Sequence, residues 1–263
     1  MKKYLFAILI IFAFIEAFAL MAKASPGMMG SVGGGAAATN FLLDPAMIGT
    51  WFTSNNLNDL SSNGYNLTLD YGTAVYSNST NVQVGTYSAN ASIGWAADGT
   101  FAKLPGYTTY TGLTAGGWVD IPSAITGYML FAGGTSGTSW IVGVTSGKPM
   151  FEISTDGTTF TTITATNAIS NSTPTFIAAV WDGSYENIYT ATGNCSNLAA
   201  AATRVAFSST PYHSTSNGSL YAMGTFVGTD MMTGYNNMYF VENRGLSSTE
   251  LMSVCVHGIN GSK

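Results

Sequence analysis

The sequence predicts an all-β fold, a two-sheet antiparallel jelly-roll sandwich, on three observations. Short strand-like runs recur about every 8–12 residues from Tyr65 onward, divided by Gly, Asn, Asp and Ser. Charged residues make up only 8% of the 263 residues, against about 25% in ordinary globular chains, while Gly reaches 31 residues. Helical periodicity is absent until the last strand has passed. One domain of this length suits a sandwich, which reaches roughly 200–250 residues without dividing.

Lys2 and Lys3 precede an uncharged apolar run, Leu5 to Ile15, and Ala22-Lys23-Ala24 stands directly before Ser25-Pro26. Basic, apolar and small-x-small parts in that order describe a secretory signal peptide over 1–24. The competing reading is an uncleaved anchor over Tyr4 to Ala22, and Glu16 argues against it because a carboxylate within a lone span is costly. Residues 25–40, with GGGAAA at 33–38, read as a flexible leader, and the folded domain as 41–263. Cleavage would remove three lysines and one glutamate and take the formal net charge from −5 to −7. So few dispersed cations give no footprint for a phosphate backbone, and nucleic acid is excluded as a partner.

Within the domain, Ile48–Phe52 is the first strand, followed by a polar loop from Asn55 to Gly64 dense in Asx-turn residues. Further strands are predicted at Asn66–Asp70, Val82–Tyr87, Thr100–Leu104, Gly116–Ile121, Tyr128–Ala132, Trp140–Val144, Pro149–Ser154 and Phe160–Ile163. The strongest local signal is Thr175 to Gly193. Thr175–Trp181 is apolar on both alternating faces, as in a strand covered on both sides. Asp182-Gly183-Ser184 supplies the turn, and Tyr185 to Thr192 returns as the second arm of a hairpin. Val205–Phe207, Ser219–Gly224 and Met238–Glu242 complete the strands. Ser247 with Glu250 three residues on is a capping box, read as starting one or two helical turns.

Cys195 and Cys255 are the only cysteines, an even number in a chain addressed out of the cytosol. One disulfide is the economical inference, since His213 and His257 show no metal-ligand spacing with them. Closing that loop should stabilise the fold by about 4 kcal/mol in the chain-entropy model.

Several stretches together resemble the laminin-G-like, or concanavalin A-like lectin/glucanase, jelly rolls. Trp51 and the loop Asp59–Gly64 resemble the family's opening strand and turn. Ala97-Asp98-Gly99-Thr100, Leu113 to Val119, the hairpin Phe176–Gly193 and Met238 to Glu250 follow in the family's order. The match departs from the pattern in three respects: Ala97 stands where an aromatic is usual, Phe176 replaces a Trp, and no His follows it. The resemblance spans residues 45 to 257. It implies the sandwich fold and a choice among lectins, glycosidases, adhesion modules and structural spacers, because the fold alone does not select a function.

Catalysis is the least supported of these. Glycosidases of this fold carry alternating carboxylates on one strand, but no two carboxylates of the mature chain stand at i, i+2. The four remaining glutamates are Glu152, Glu186, Glu242 and Glu250, and no nucleophile, phosphate-binding or zinc-protease motif occurs. The reading is therefore a secreted or surface-displayed, non-catalytic recognition or adhesion module for glycans or a cell-surface partner. Its alternative is a structural or self-assembling protein of a surface layer, appendage or virion. Carbohydrate binding would draw on loop aromatics and amides: Tyr107, Tyr110, Trp140, Tyr212, Tyr235 and Asn236. Calcium is the candidate cofactor, with Asp59, Asp98, Asp182 and Asp230 as loop acids that would contribute ligands. Trp51, Trp118 and Trp181 are assigned to the core. Asn66, Asn78, Asn90, Asn171, Asn194, Asn217 and Asn260 stand in N-x-S/T sequons.

Overall fold

The structure, a computed structural model, describes residues 44–52, 58–69, 76–77, 88–90, 95–97, 111–134, 136–213, 219–222, 232 and 234–257. The signal peptide, the leader, the strands at Val82–Tyr87 and Thr100–Leu104, and Tyr107, Tyr110, Asp98 and Asp230 lie outside these residues. The described chain is a two-sheet antiparallel β-sandwich with one helix, as its strand-and-turn pattern predicts.

The strands are β1 (Met47–Phe52), β2 (Thr68–Leu69), β3 (Tyr76–Ser77), β4 (Ser88–Asn90), β5 (Trp95–Ala97), β6 (Leu113–Asp120), β7 (Gly127–Gly134) and β8 (Gly137–Thr145). They continue as β9 (Lys148–Ser154), β10 (Phe160–Thr164), β11 (Thr175–Trp181), β12 (Tyr185–Thr192), β13 (Ala199–Ala200), β14 (Val205–Ala206), β15 (Ser219–Ala222) and β16 (Tyr235–Glu242). Helix α1 spans Ser248–His257. A nine-stranded sheet runs β13-β12-β11-β6-β16-β4-β3, with β1 added on β16 and β14 on β12. A seven-stranded sheet runs β10-β9-β8-β7-β15-β5-β2.

The hairpin β11–β12 lies within the nine-stranded sheet, with β11 between β12 and β6. The Asp182 carboxylate accepts hydrogen bonds from the backbone N–H of Ser184 at 2.9 Å and Tyr185 at 2.8 Å, and Gly183 takes φ 92°. That is the turn chemistry the Asp-Gly-Ser sequence encodes. Every residue of β11 is buried, for a reason visible in the two cores. Ile177, Ala179 and Trp181 face the other sheet, in a core shared with Trp51, Trp140, Phe151 and Tyr239. Phe176, Ala178 and Val180 point the other way, into a second core with Trp118, Phe240, Leu251 and Val254. A strand with two buried faces needs a continuous apolar run.

The second core exists because α1 covers the outer face of the nine-stranded sheet. Its start is the capping box: Ser247 N–H donates to Glu250 Oε2 at 2.8 Å, and Glu250 N–H donates to Ser247 Oγ at 3.3 Å. At ten residues the helix exceeds the one or two turns read from that box. The added length comes from packing, since Leu251, Val254 and Cys255 recur at helical spacing on the buried side. The Cys195–Cys255 disulfide is formed, across a sequence separation of 60, and Trp118 Nε1–H donates to Cys255 O at 3.3 Å. No helix among the described residues is long and apolar enough to cross a membrane.

Candidate ligand-binding cleft

The nine-stranded sheet outruns its partner at the start of β11 and the end of β12. Thr175 and Thr192 are Cα partners there. Thr175 is two residues before Ile177, and Thr190 and Thr192 continue the alternation of Ile188, so these three threonines extend the sheet's inner face beyond the apolar core. The β10–β11 connection, residues 165–174, forms one wall. It is pinned by Ala165 N–H to Pro149 O at 2.7 Å, Thr166 N–H to Ala201 O at 2.9 Å and Ile169 N–H to Gly147 O at 2.9 Å. The segment from Asn197 to Ala201 forms the other. Between them lies a cleft of about 490 Å³.

The second wall is held in shape by an unusual local device. Gly193 and Cys195 both take positive φ, 57° and 65°, so the chain reverses sharply after β12. Cys195 is not a residue that favours this region, and its disulfide to α1 holds it there. Asn197 then clamps the reversal to the strand. Its Oδ1 accepts from Thr192 N–H at 2.9 Å, and its Nδ2–H donates to Thr192 Oγ1 at 2.9 Å.

The lining is polar and uncharged. Thr166, Asn167, Ser170, Thr175, Thr190, Thr192 and Asn197 carry hydroxyls and amides, and Ala168, Ile169, Ala191, Ala199, Ala200 and Ala201 supply small apolar surface. None of these side chains titrates, so the cleft offers hydrogen bonds and no acid, base or nucleophile with a shifted pKa. Asn167, Ser170 and Thr190 show no side-chain hydrogen bond within the described residues, which leaves their groups for a ligand.

Of the residues singled out in the sequence, Trp140, Tyr212, Tyr235 and Asn236 are described and stand outside this lining. Trp140, counted among the loop aromatics although it also opens the predicted strand Trp140–Val144, lies inside β8 with no exposed surface, packed with Val142 and Val144 in the inter-sheet core. A ring with no accessible face offers no sugar platform. Tyr212 is half-buried; its hydroxyl donates to Ser136 O at 2.8 Å, and its ring lies against Gly137 and Gly157 so closely that a Cβ at either would collide. Tyr235 and Asn236 are on β16, not in a loop; Tyr235 opposes Asp120, and Asn236 is buried beside a bulge.

Asp59 and Asp182, the two described loop acids, have donors within the protein. Asp59 accepts from Thr50 N–H (2.9 Å), Ser61 N–H (2.9 Å), Ser61 Oγ–H (2.7 Å) and Tyr65 N–H (2.8 Å). Those four donors use up the acceptor positions of a carboxylate. Asp182 serves the hairpin turn. Among the described residues no group of three or more His, Cys, Asp or Glu is arranged to hold a metal ion.

One carboxylate cluster and one buried carboxyl arise in space that spacing along the chain does not show. Arg244 Nη2 contacts Asp44 at 2.7 Å, Nη1 contacts Glu250 at 2.7 Å and Nε contacts Glu242 at 3.2 Å. Burial drives the Glu242 carboxyl up to about 8 even with Arg244 opposing the shift. Glu186 is fully buried with no hydrogen-bond partner among the described residues. Burial, reinforced by Glu152, raises it to about 8. These last two do not form a glycosidase pair across one cleft. Glu152 opposes Ile141 and Thr162 on the outer face of the seven-stranded sheet, whereas Glu186 alternates with Ile188 on the inner face of the other.

No family model matches the sequence, and no curated protein matches it. Solved structures do. Domain 4 of AbnA, a GH43 extracellular arabinanase from Geobacillus stearothermophilus solved in complex with arabinotriose, superposes with a TM-score of 0.58 at 14% identity, covering 80% of this chain and 98% of that one. The receptor-binding domain of botulinum neurotoxin C/D mosaic serotype gives 0.57 at 12% identity, covering 80% and 51%. The binding domain of botulinum neurotoxin DC in complex with SialylT gives 0.55 at 10%, again covering 80% and 51%. The chain therefore spans about half the length of the two neurotoxin domains. At these identities the likeness establishes the fold, a jelly-roll-like sandwich shared with sugar- and receptor-binding domains. The laminin-G-like subtype is not singled out among such sandwiches.

Proposed function

We propose that the chain is a non-catalytic recognition module, exported to the cell surface or beyond, that binds a glycan in the cleft between residues 166–170 and 197–201. The observation that carries this reading is the cleft itself: a preformed concavity whose walls offer hydroxyls and amides without a titratable group. Such a lining matches the hydrogen-bonding surface of a sugar and cannot perform hydrolysis. The fold supports it, because the arabinanase domain was solved with arabinotriose and a neurotoxin binding domain with SialylT. Export is supported by the disulfide and by the basic-apolar-small pattern of residues 1–24.

A glycan array tests the reading, followed by titration of the best ligand against the Asn167→Ala, Thr190→Ala double variant. Binding should weaken by about tenfold or more, as when two hydrogen bonds to a ligand are lost, while the melting temperature stays unchanged. Absence of binding to every glycan, or undiminished affinity in the double variant, defeats it.

A further inference from the structure

We infer that the cleft selects uncharged sugars and rejects counterparts carrying a carboxylate, sulfate or phosphate; this rests on the glycan reading above. The ground is the disposition of charge around the cleft. Among the described residues no cation lines the cleft. An anionic substituent drawn into it would lose water without gaining a partner, which is the costly way to bury a charge.

The cations nearest in the described chain are committed elsewhere. The Arg204 guanidinium lies 4.0 Å over the Tyr185 ring. Arg244 is shared among Asp44, Glu242 and Glu250. Lys148 is two residues before Met150 and shares with it and Glu152 the outer face of the seven-stranded sheet, behind the wall whose Ile169 N–H bonds Gly147 O. Lys148 does not line the cleft. The chain as a whole carries a formal net charge of −5, so its long-range field also opposes anions. Among the described residues no aromatic ring lines the cleft either, so contact with a sugar comes from Asn167, Ser170 and Thr190 above small alanine surface. Such hydrogen bonds are short-ranged and nearly blind to salt.

The test uses pairs of oligosaccharides that differ only in charge, such as a neutral trisaccharide and its sialylated, sulfated or uronic-acid counterpart, titrated calorimetrically against the full chain. The neutral member should bind at least about tenfold more tightly, with an affinity unchanged by added salt. Ala200→Lys, which places a cation on the exposed wall, should close that gap, whereas Lys148→Gln should leave it as it was. Equal or tighter binding of the charged members, or a gap that Lys148→Gln alters, overturns the selectivity and leaves glycan recognition standing. If neither member of any pair binds, it is the glycan reading that fails, and the selectivity falls with it.

Discussion

Around β1 the strong polar groups are turned onto the protein itself. Asp59 is saturated by four donors from its own loop and from Thr50, and Arg244 gathers three carboxylates from the segment before β1, the end of β16 and the start of α1. At the β11–β12 end the order is reversed. The lining has no charge, and Asn167, Ser170 and Thr190 keep their hydrogen-bonding groups uncommitted. In a chain with few charged residues, charge serves architecture near β1, and the open surface is left to hydroxyls and amides. The cleft takes its rigidity from a covalent bond and the Asn197 clamp instead.

That contrast can be broken at either end. Removing the disulfide with Cys195→Ser and Cys255→Ser should cost the most, about 4 kcal/mol in the chain-entropy model. Denaturant unfolding measures the loss, and ligand affinity should drop with it, since the wall from Asn197 to Ala201 loses its anchor. A variant that is less stable yet binds as before would separate the wall from the bond. Asp59→Ala should come next, at about 3 kcal/mol, because the backbone N–H groups of Thr50, Ser61 and Tyr65 lose their acceptor. Ligand affinity should not change in that variant. The cleft substitutions show the opposite profile, altering binding while stability stays within about 0.5 kcal/mol.

Stability should also depend on pH. Glu186 holds its proton more tightly in the folded chain than in the unfolded one, with a pKa raised from 4.5 to about 8. Its protonated form is equally available to both states below about 4.5, and stability contributed there is lost as pH rises towards 8, then levels off. Glu242 acts in the same direction and window. Glu186→Gln should therefore raise the melting temperature clearly more near pH 8 than near pH 4. An equal shift at both pH values would show that the carboxyl is not titrating.

The hairpin was readable from sequence because its signals are local: a run with two buried faces, an Asp-Gly turn and an alternating return strand. The capping box was readable for the same reason, although the length of α1 was not, since it depends on the sheet surface that Leu251 and Val254 cover. Trp140 shows how a local signal misleads. The Gly- and Ser-rich stretch before it suggests a loop, yet β8 already begins at Gly137, and the spacing of Trp140, Val142 and Val144 is the two-residue period of a strand facing a core. The cleft carried no such signal. Its residues come from three separated segments, and Thr, Ser and Asn are so common in this chain that none stands out before the strands are aligned. The Arg244 cluster was hidden likewise, because Asp44 and Arg244 are 200 residues apart.

The bond between Cys195 and Cys255 also has a bearing on biogenesis. Cys255 belongs to the last described element, so the two sulfurs cannot meet until α1 has been synthesised. With no third cysteine in the chain, a Cys195 oxidised earlier has only another molecule to pair with. Closure within one chain is thus a late event in synthesis, and it ties the last described element back to the end of β12.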